Sequence, residues 1–252
     1  MLVAVSLGPG DESLLTPAAA AALAGADAIV GYKGYIDLVP PGLLEGKEVF
    51  STGMMGEVER VNRAVDLAEQ GRRTAVVCSG DAGIYAMAGL MLETLEARGL
   101  LDTVPFEVIP GVAAFNAAAA LLGAPLMHDF CSISLSDLLT PWDLIRKRLR
   151  LAAEGDFVIA LYNPRSRRRS GHLAEALGII GEQRSPQTPV GVVNRAWREG
   201  QQVHICTLED MEPDIVDMQT IVLVGNSATR KAGGFLLTPR GYHTKYAVGT
   251  TA

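Results

Sequence analysis

The chain has 252 residues, 48% hydrophobic and 20% charged, which at roughly 150 residues per domain allows one to two domains with a sizeable core. That excludes a disordered tail and a disulfide-stapled miniature fold. A formal charge of −6 and a pI near 5.3 provide no general basic field for a polyanion, so nucleic acid is a poor candidate partner.

Short apolar or β-branched runs at residues 2–7, 28–30, 74–78, 106–109, 157–162, 190–194 and 220–224 read as strands, each followed by a helical pattern. Strands alternating with helices predict an α/β fold with largely parallel sheets, because a parallel pair needs a crossover connection. Thr16 before Pro17, and Thr140 before Pro141, read as N-cap and first helical residue. Val58, Val61, Val65 and Ala68 make one apolar helix face, with Gly71 as its stop, and the small apolar run 113–122 reads as a buried helix. Beyond it, GAPLMHDFCSISLSDLLTPW (123–142) loses the alternation. A boundary is expected there, between an N-terminal α/β domain over 1–115 and a C-terminal α/β domain over 116–252, with a ligand cleft between them.

Cys78, Cys131 and Cys206 are widely spaced with no CxxC, which predicts reduced thiols rather than a zinc knuckle or a disulfide framework. His172, His204 and His243 lack metal-ligand spacing, so no metal site is expected. The first basic residue is Lys33, and no apolar run approaches the ~18 residues that span a bilayer; a soluble, cytoplasmic protein is the expectation.

Three strand ends carry glycine turns. In VAVSLGPGDESLLT (3–16), Ser13 stands where a dinucleotide fingerprint needs glycine, and no lysine of a phosphate loop is present. Pro9 removes an amide and Asp11 would repel a phosphate, so the loop suits a ligand without phosphates, or is a plain tight turn. VVCSGDAGIYAMAG (76–89) places Gly80, Asp81 and Gly83 at a second such turn, where Asp81 either accepts a hydrogen bond from an amine or hydroxyl or N-caps a helix carrying Ile84, Met87 and Met91. Pro110 and Gly111, followed by small Ala113 and Ala114, give a third turn, fit for close approach of a flat ligand or for tight helix packing.

Further on, His128, Asp129, Ser134, Ser136 and Asp137 crowd a stretch without periodicity, as acid–base candidates or as turn and cap residues. Arg165, Arg167, Arg168 and Arg169 cluster in LYNPRSRRRS (161–170), suited to gripping carboxylates or to a solvated helix start.

In order, GPGD, SGD, PGVAA and a late VGNS resemble the tetrapyrrole methylases, the class III S-adenosylmethionine-dependent methyltransferases. Longer strings are similar to those members that methylate C-17 of a precorrin-3B or cobalt-factor III type tetrapyrrole and contract its ring in cobalamin biosynthesis. These are GYKGYIDL (31–38), STGMMGE (51–57), SGDAGIYAMAG (79–89), the stretch 123–142, DFVIALYNPRSRRR (156–169), PVGVVNRAWREG (189–200), GNSAT (225–229) and TPRGY (238–242).

The resemblance implies two α/β domains with S-adenosylmethionine in the cleft, and a homodimer. It puts Pro9, Gly80, Asp81, Ile84, Ala113, Ala114, Tyr162, Asn163, Gly225 and Asn226 in cofactor loops. Arg165, Arg167 and Arg168 then face substrate carboxylates, and His128, Asp129, Ser136 and Asp137 handle protons. Tyr32 and Met54 depart from the uroporphyrinogen-methylating members, which carry Asp and Lys thereabouts, so those proton roles do not transfer. A sibling methyltransferase acting on another ring carbon, a nicotinamide-dependent oxidoreductase and a non-catalytic tetrapyrrole carrier stand as alternatives.

Overall fold

Residues 1–166 and 170–246 of the computed structural model are described, with the backbone alone at His243. The chain divides into two units, Met1–Ala114 and Phe115–Ala252.

The first unit runs β1 (Leu2–Ser6), α1 (Pro17–Ala24), β2 (Ala28–Tyr32), α2 (Lys33–Ile36), β3 (Glu48–Thr52), α3 (Glu57–Glu69), β4 (Thr74–Cys78), α4 (Ala88–Ala97) and β5 (Phe106–Ile109). Every strand pairing is parallel, in the order β3-β2-β4-β1-β5. Strands β1, β2 and β4 are apolar on both faces, as a sheet covered by helices on both sides requires. Leu2 and Ala4 pack with α3 and α4, while Val3 and Val5 pack with α1 and Ile36. The amide of Ala19 donates to Thr16 Oγ1 at 3.1 Å, giving α1 its cap before Pro17. On α3, Val61, Val65 and Ala68 are buried as expected, together with Ala64 and Leu67. Val58 is 62% exposed and lies off that face.

The second unit holds α5 (Ala114–Leu122, whose first residue closes the first unit), β6 (Gly123–Ala124), β7 (Phe130–Ser134), α6 (Trp142–Glu154), β8 (Val158–Tyr162), α7 (His172–Gly181), β9 (Pro189–Asn194), β10 (Gln202–Thr207), β11 (Thr220–Val224), β12 (Arg230–Ala232) and β13 (Phe235–Leu237). Its main sheet, β10-β9-β11-β8-β7, is parallel only at β7–β8, and the pairings β8–β11, β11–β9 and β9–β10 are antiparallel. The expectation of largely parallel sheets therefore fails here. The β9–β10 pair is a hairpin-type return, and residue pattern does not encode strand direction.

Helices α6 and α7 cover one face of this sheet through Ile145, Leu149, Leu173 and Ile180. On the other face, a side chain at Gly191 would meet Leu122 of α5 at 2.4 Å, so glycine is what lets α5 lie close. Two local expectations change. Helix α6 begins at Trp142 with Pro141 at its cap position, displacing the Thr140 cap by one residue. The stretch 123–142 is not aperiodic throughout, because β7 runs through its middle.

Candidate functional site

In the first unit, the chain leaves the carboxyl ends of three adjacent strands, β4, β1 and β5, through three glycine loops, where open α/β sheets place ligands. Gly8 and Gly80 exchange backbone hydrogen bonds at 3.1 and 2.7 Å, both at positive φ, so the first two loops form one ledge. Beneath it, Ser6 Oγ accepts the amide of Ala82 at 2.8 Å. The Asp81 carboxylate accepts from Gly83 N at 2.8 Å and from Gly111 N at 3.0 Å, tying in the third loop. A Cβ on Gly111 would lie 2.5 Å from the Ser6 Cβ and 2.8 Å from the Gly80 carbonyl oxygen, so the three loops meet at a point that only glycine fits.

Asp81 is therefore a loop clamp rather than a helix N-cap, since α4 starts seven residues later at Ala88. Pro9, Gly80 and Ala113 are buried, while Asp81, Ile84 and Ala114 are half-buried. Asp11 turns inward on its own loop: its carboxylate takes the Ser13 hydroxyl at 2.6 Å and amide at 2.8 Å, which hold it below the ordinary carboxylate range.

In the second unit, the expected site residues divide between the two edges of the sheet. At the carboxyl ends of β7 and β8 lie Ser134, Ser136, Asp137, Tyr162, Asn163 and Arg165. Asn163, with a left-handed φ of 51°, donates from Nδ2 to Ser134 Oγ at 2.9 Å, and the same oxygen accepts the Ser136 amide at 3.2 Å. The Tyr162 hydroxyl accepts the Phe115 amide at 3.1 Å. The Arg165 guanidinium donates to Asp214 Oδ1 at 2.6 Å and to the Pro213 carbonyl at 3.1 Å. Arg167 and Arg168 lie outside the described residues, as does Arg169.

At the opposite edge, His128 and Asp129 precede β7, and Gly225 and Asn226 follow β11, which runs antiparallel to β8. His128 Nδ1 accepts the Asp129 amide at 2.9 Å, and the Asp129 side chain is 86% exposed. The buried Asn226 amide is spent inside its own loop, accepting from Ala228 N and Thr229 Oγ1, each at 3.0 Å. Asp156 anchors that loop by accepting the Ser227 amide and hydroxyl, and pairs with Arg184 at 2.6 Å. The expected proton-handling stretch 128–137 is thus not one cluster, because β7 separates its two ends.

Two features at the carboxyl edge escaped the sequence reading. His172, expected to be an ordinary packing or surface histidine, has Nε2 3.1 Å from Asp137 Oδ2. After β9, Arg195 and Trp197 take left-handed φ values of 50° and 57°, and the buried Asn194 Oδ1 has no hydrogen-bond partner among the described residues. Non-glycine residues in that region of φ store strain and gather at functional sites. The string VVNRAW, a strand running into bulky residues without glycine, was the available signal. Burial pushes the thiols of Cys78 and Cys131 up to about 11, so neither is a thiolate near neutrality.

The family model described as Tetrapyrrole (Corrin/Porphyrin) Methylases matches residues 1–212. The chain is 51% identical over 242 residues to the "Probable cobalt-factor III C(17)-methyltransferase" of Salmonella typhimurium (strain LT2), covering 96% of this chain and 99% of that one. It is 48% identical to the "Cobalt-factor III methyltransferase" of Priestia megaterium over 99% of its own length but only 46% of that longer protein. Among solved structures, one described as the methyltransferase CobJ superposes with a TM-score of 0.90 at 42% identity, covering 94% of this chain and 99% of that one.

Proposed function

The chain belongs to the tetrapyrrole (corrin/porphyrin) methylase family, and on that premise we propose that it methylates C-17 of a precorrin-3B or cobalt-factor III type tetrapyrrole with S-adenosylmethionine, contracting the ring, in cobalamin biosynthesis. The observation that carries the reading is the clamped array of three glycine loops at the carboxyl ends of β4, β1 and β5, with no lysine or arginine among residues 7–16, 79–87 and 110–113. Such a ledge suits a ligand that has no phosphates and presses on backbone.

S-adenosylmethionine fits that chemistry, and when bound it supplies an electrophilic methyl group on a sulfonium sulfur. Pro9, Gly80, Asp81, Ile84 and Ala113 would hold it, with Asp81 setting the spacing of the loops. Ala114, Tyr162 and Asn163 carry over from the family motifs as ligand-facing residues. Gly225 and Asn226 carry over from the family motifs alone, since they lie at the opposite edge of the sheet from Tyr162 and Asn163, and Asn226 Oδ1 already accepts from Ala228 and Thr229.

Since a ring carbon of the substrate is the nucleophile, the chain's work is positioning and the exclusion of water. No serine or cysteine need attack. Arg165 would exchange Asp214 for a substrate carboxylate, and Arg167 and Arg168 join it by their place in the motif. Proton handling falls to Ser136 and Asp137, at the edge that also carries Tyr162 and Asn163. Among the described residues no helix is long and apolar enough to cross a membrane. A cytoplasmic homodimer belongs to the same proposal, on the family resemblance.

Thermal denaturation with added ligand tests the reading. S-adenosylmethionine and S-adenosylhomocysteine should raise Tm with the logarithm of concentration above Kd, and NAD should not. Stabilisation by NAD alone would favour the oxidoreductase reading.

A further inference from the structure

His172 opens α7, and Asp137 lies in the loop after β7. The two meet beside the β7–β8 pair with Nε2 and Oδ2 3.1 Å apart. The imidazole packs on the Trp142 indole of α6, ring centres 4.2 Å apart and planes at 60°. Trp142 is itself fixed, its Nε1 donating to Glu175 Oε2 at 3.0 Å, while Arg146 donates from Nε to Glu175 Oε1 at 2.6 Å and from Nη1 to Asp143 at 3.0 Å. Among the described residues, the charged groups around the ring are Asp137 from the loop, Glu175 on α7, and Arg146 and Asp143 on α6. Glu175, Arg146 and Asp143 satisfy one another, and the imidazole nitrogen is directed at Asp137.

Two leucines follow Asp137 directly, and both face solvent: Leu138 is 65% exposed and Leu139 98% exposed. A hydrogen-bonded scaffold of half-buried Trp142 with the more exposed Glu175 and Arg146 behind the imidazole, a carboxylate in front of it, and a bare apolar pair beside that carboxylate is a costly arrangement for a plain loop. It fits a large apolar ring that must exchange a proton at its rim.

We propose that His172 is the positioning residue for the Asp137 carboxylate, that Asp137 carries the proton moved during ring contraction, and that Leu138 and Leu139 seat the macrocycle beside it. The ionised carboxylate accepts the Nε2–H of His172, which holds it in place. An O–H bond forms at Asp137 as the substrate loses a proton, and breaks when that proton returns to the substrate, so no electrons change hands at the pair. This inference rests on the proposed function.

The test compares the parent enzyme with His172→Phe, His172→Gln, Asp137→Asn and the His172→Phe/Asp137→Asn pair, under anaerobic conditions with labelled S-adenosylmethionine and a precorrin-3B or cobalt-factor III substrate. Mass spectrometry counts methyl groups and absorbance follows contraction. Phenylalanine keeps the packing on Trp142 and loses the donor; glutamine keeps a donor. His172→Phe should transfer methyl within about twofold of the parent while contraction slows by about a hundredfold, the scale of a misplaced acid–base group. His172→Gln should recover at least tenfold of that loss, and the paired variant should be no slower than Asp137→Asn alone, as expected of groups acting as one unit.

Unchanged contraction in His172→Phe, equal rates for the phenylalanine and glutamine variants, or proportional loss of both steps in all of them would each overturn the inference. If His172→Phe fails to fold, a His172→Gln variant that contracts no faster than Asp137→Asn has the same force. A parent that transfers no methyl group overturns the proposed function itself, and the inference with it, which is a different result from methyl transfer that continues with an unaltered ratio of products.

Discussion

The Asp81 carboxylate accepts the amide hydrogen of Gly111 at 3.0 Å, so the loop after β4 holds the loop after β5, and through Gly80 it also bonds Gly8 of the loop after β1. The three loops are one mechanical unit. Asp81→Ala leaves two amides without this acceptor and should cost about 1–3 kcal/mol of stability. S-adenosylmethionine affinity should fall at least about tenfold, equal to about 1.4 kcal/mol. Denaturant unfolding and calorimetry read the two effects; full affinity in a destabilised Asp81→Ala protein would detach the clamp from the cofactor.

Gly111→Ala and Gly178→Ala make a matched pair. At Gly111 the new carbon would come within 2.5 Å of the Ser6 Cβ and 2.8 Å of a backbone oxygen, and neither can yield cheaply. Destabilisation of about 1–3 kcal/mol follows from overpacking. Gly178 sits inside α7 with nothing within 4 Å of the added carbon, so alanine there should stabilise by about 0.5–1 kcal/mol. Both are read from urea midpoints. A tolerated Gly111→Ala would mean that the three loops do not meet at that point.

Asp156 should carry part of the acid sensitivity. Its partial burial works to raise the pKa, but the hydrogen bonds from Ser227 and the charge of Arg184 prevail and hold it below the ordinary 3.8. A carboxyl whose folded pKa is depressed adds stability that is fully present above its unfolded value and is lost as pH falls through the lower, folded one. Asp156→Asn should therefore lower Tm at pH 7 and flatten its decline below about pH 4. A variant with the parent's slope in that range would assign the acid sensitivity elsewhere.

The separation of His128 and Asp129 from Asp137 by β7 gives a further contrast. Asp129→Asn, at a side chain 86% exposed on the opposite edge, should leave methyl transfer and contraction within about twofold of the parent, whereas loss of an engaged acid–base group costs about a hundredfold. Product analysis of this variant alone decides which edge of the second unit handles protons. A large loss of contraction in Asp129→Asn would return the proton chemistry to the amino edge of β7.

Much of the first unit was legible because its strands are buried on both faces and so read as unbroken apolar runs, such as LVAVS and TAVVC. Strand β3, EVFST, escaped because its half-exposed, alternating residues give a weaker signal, and β10, QVHICT, is likewise an exposed edge. Strand β7 hid for another reason: Ser132 and Ser134 occupy the face toward α5, so a strand looked like a polar loop. The glycine loops could be recognised residue by residue, since positive φ and close approach demand glycine. Pairings such as His172 with Asp137, or Arg165 with Asp214, join residues 35 and 49 apart in sequence, and no local pattern announces them.

Arg165 offers a test of substrate recognition apart from chemistry. Its guanidinium already holds Asp214, whose side chain is 90% exposed, so the ion pair is cheap to open. Arg165→Ala should weaken tetrapyrrole binding about tenfold or more if the new contact is desolvated, by about 1.5 kcal/mol or above, with S-adenosylmethionine affinity unchanged. Fluorescence titration with the tetrapyrrole and calorimetry with the cofactor measure the two. Unaltered tetrapyrrole affinity would return Arg165 to a structural tie with the 213–214 turn.

The most direct measurement of the central claim is anaerobic incubation of the parent enzyme with methyl-labelled S-adenosylmethionine and, separately, precorrin-3B and cobalt-factor III, followed by mass spectrometry and NMR of the product. The account predicts one labelled methyl group at C-17 of a contracted ring with at least one of the two substrates. A label at another ring carbon, or no transfer to either substrate by folded enzyme that binds S-adenosylmethionine, would contradict it.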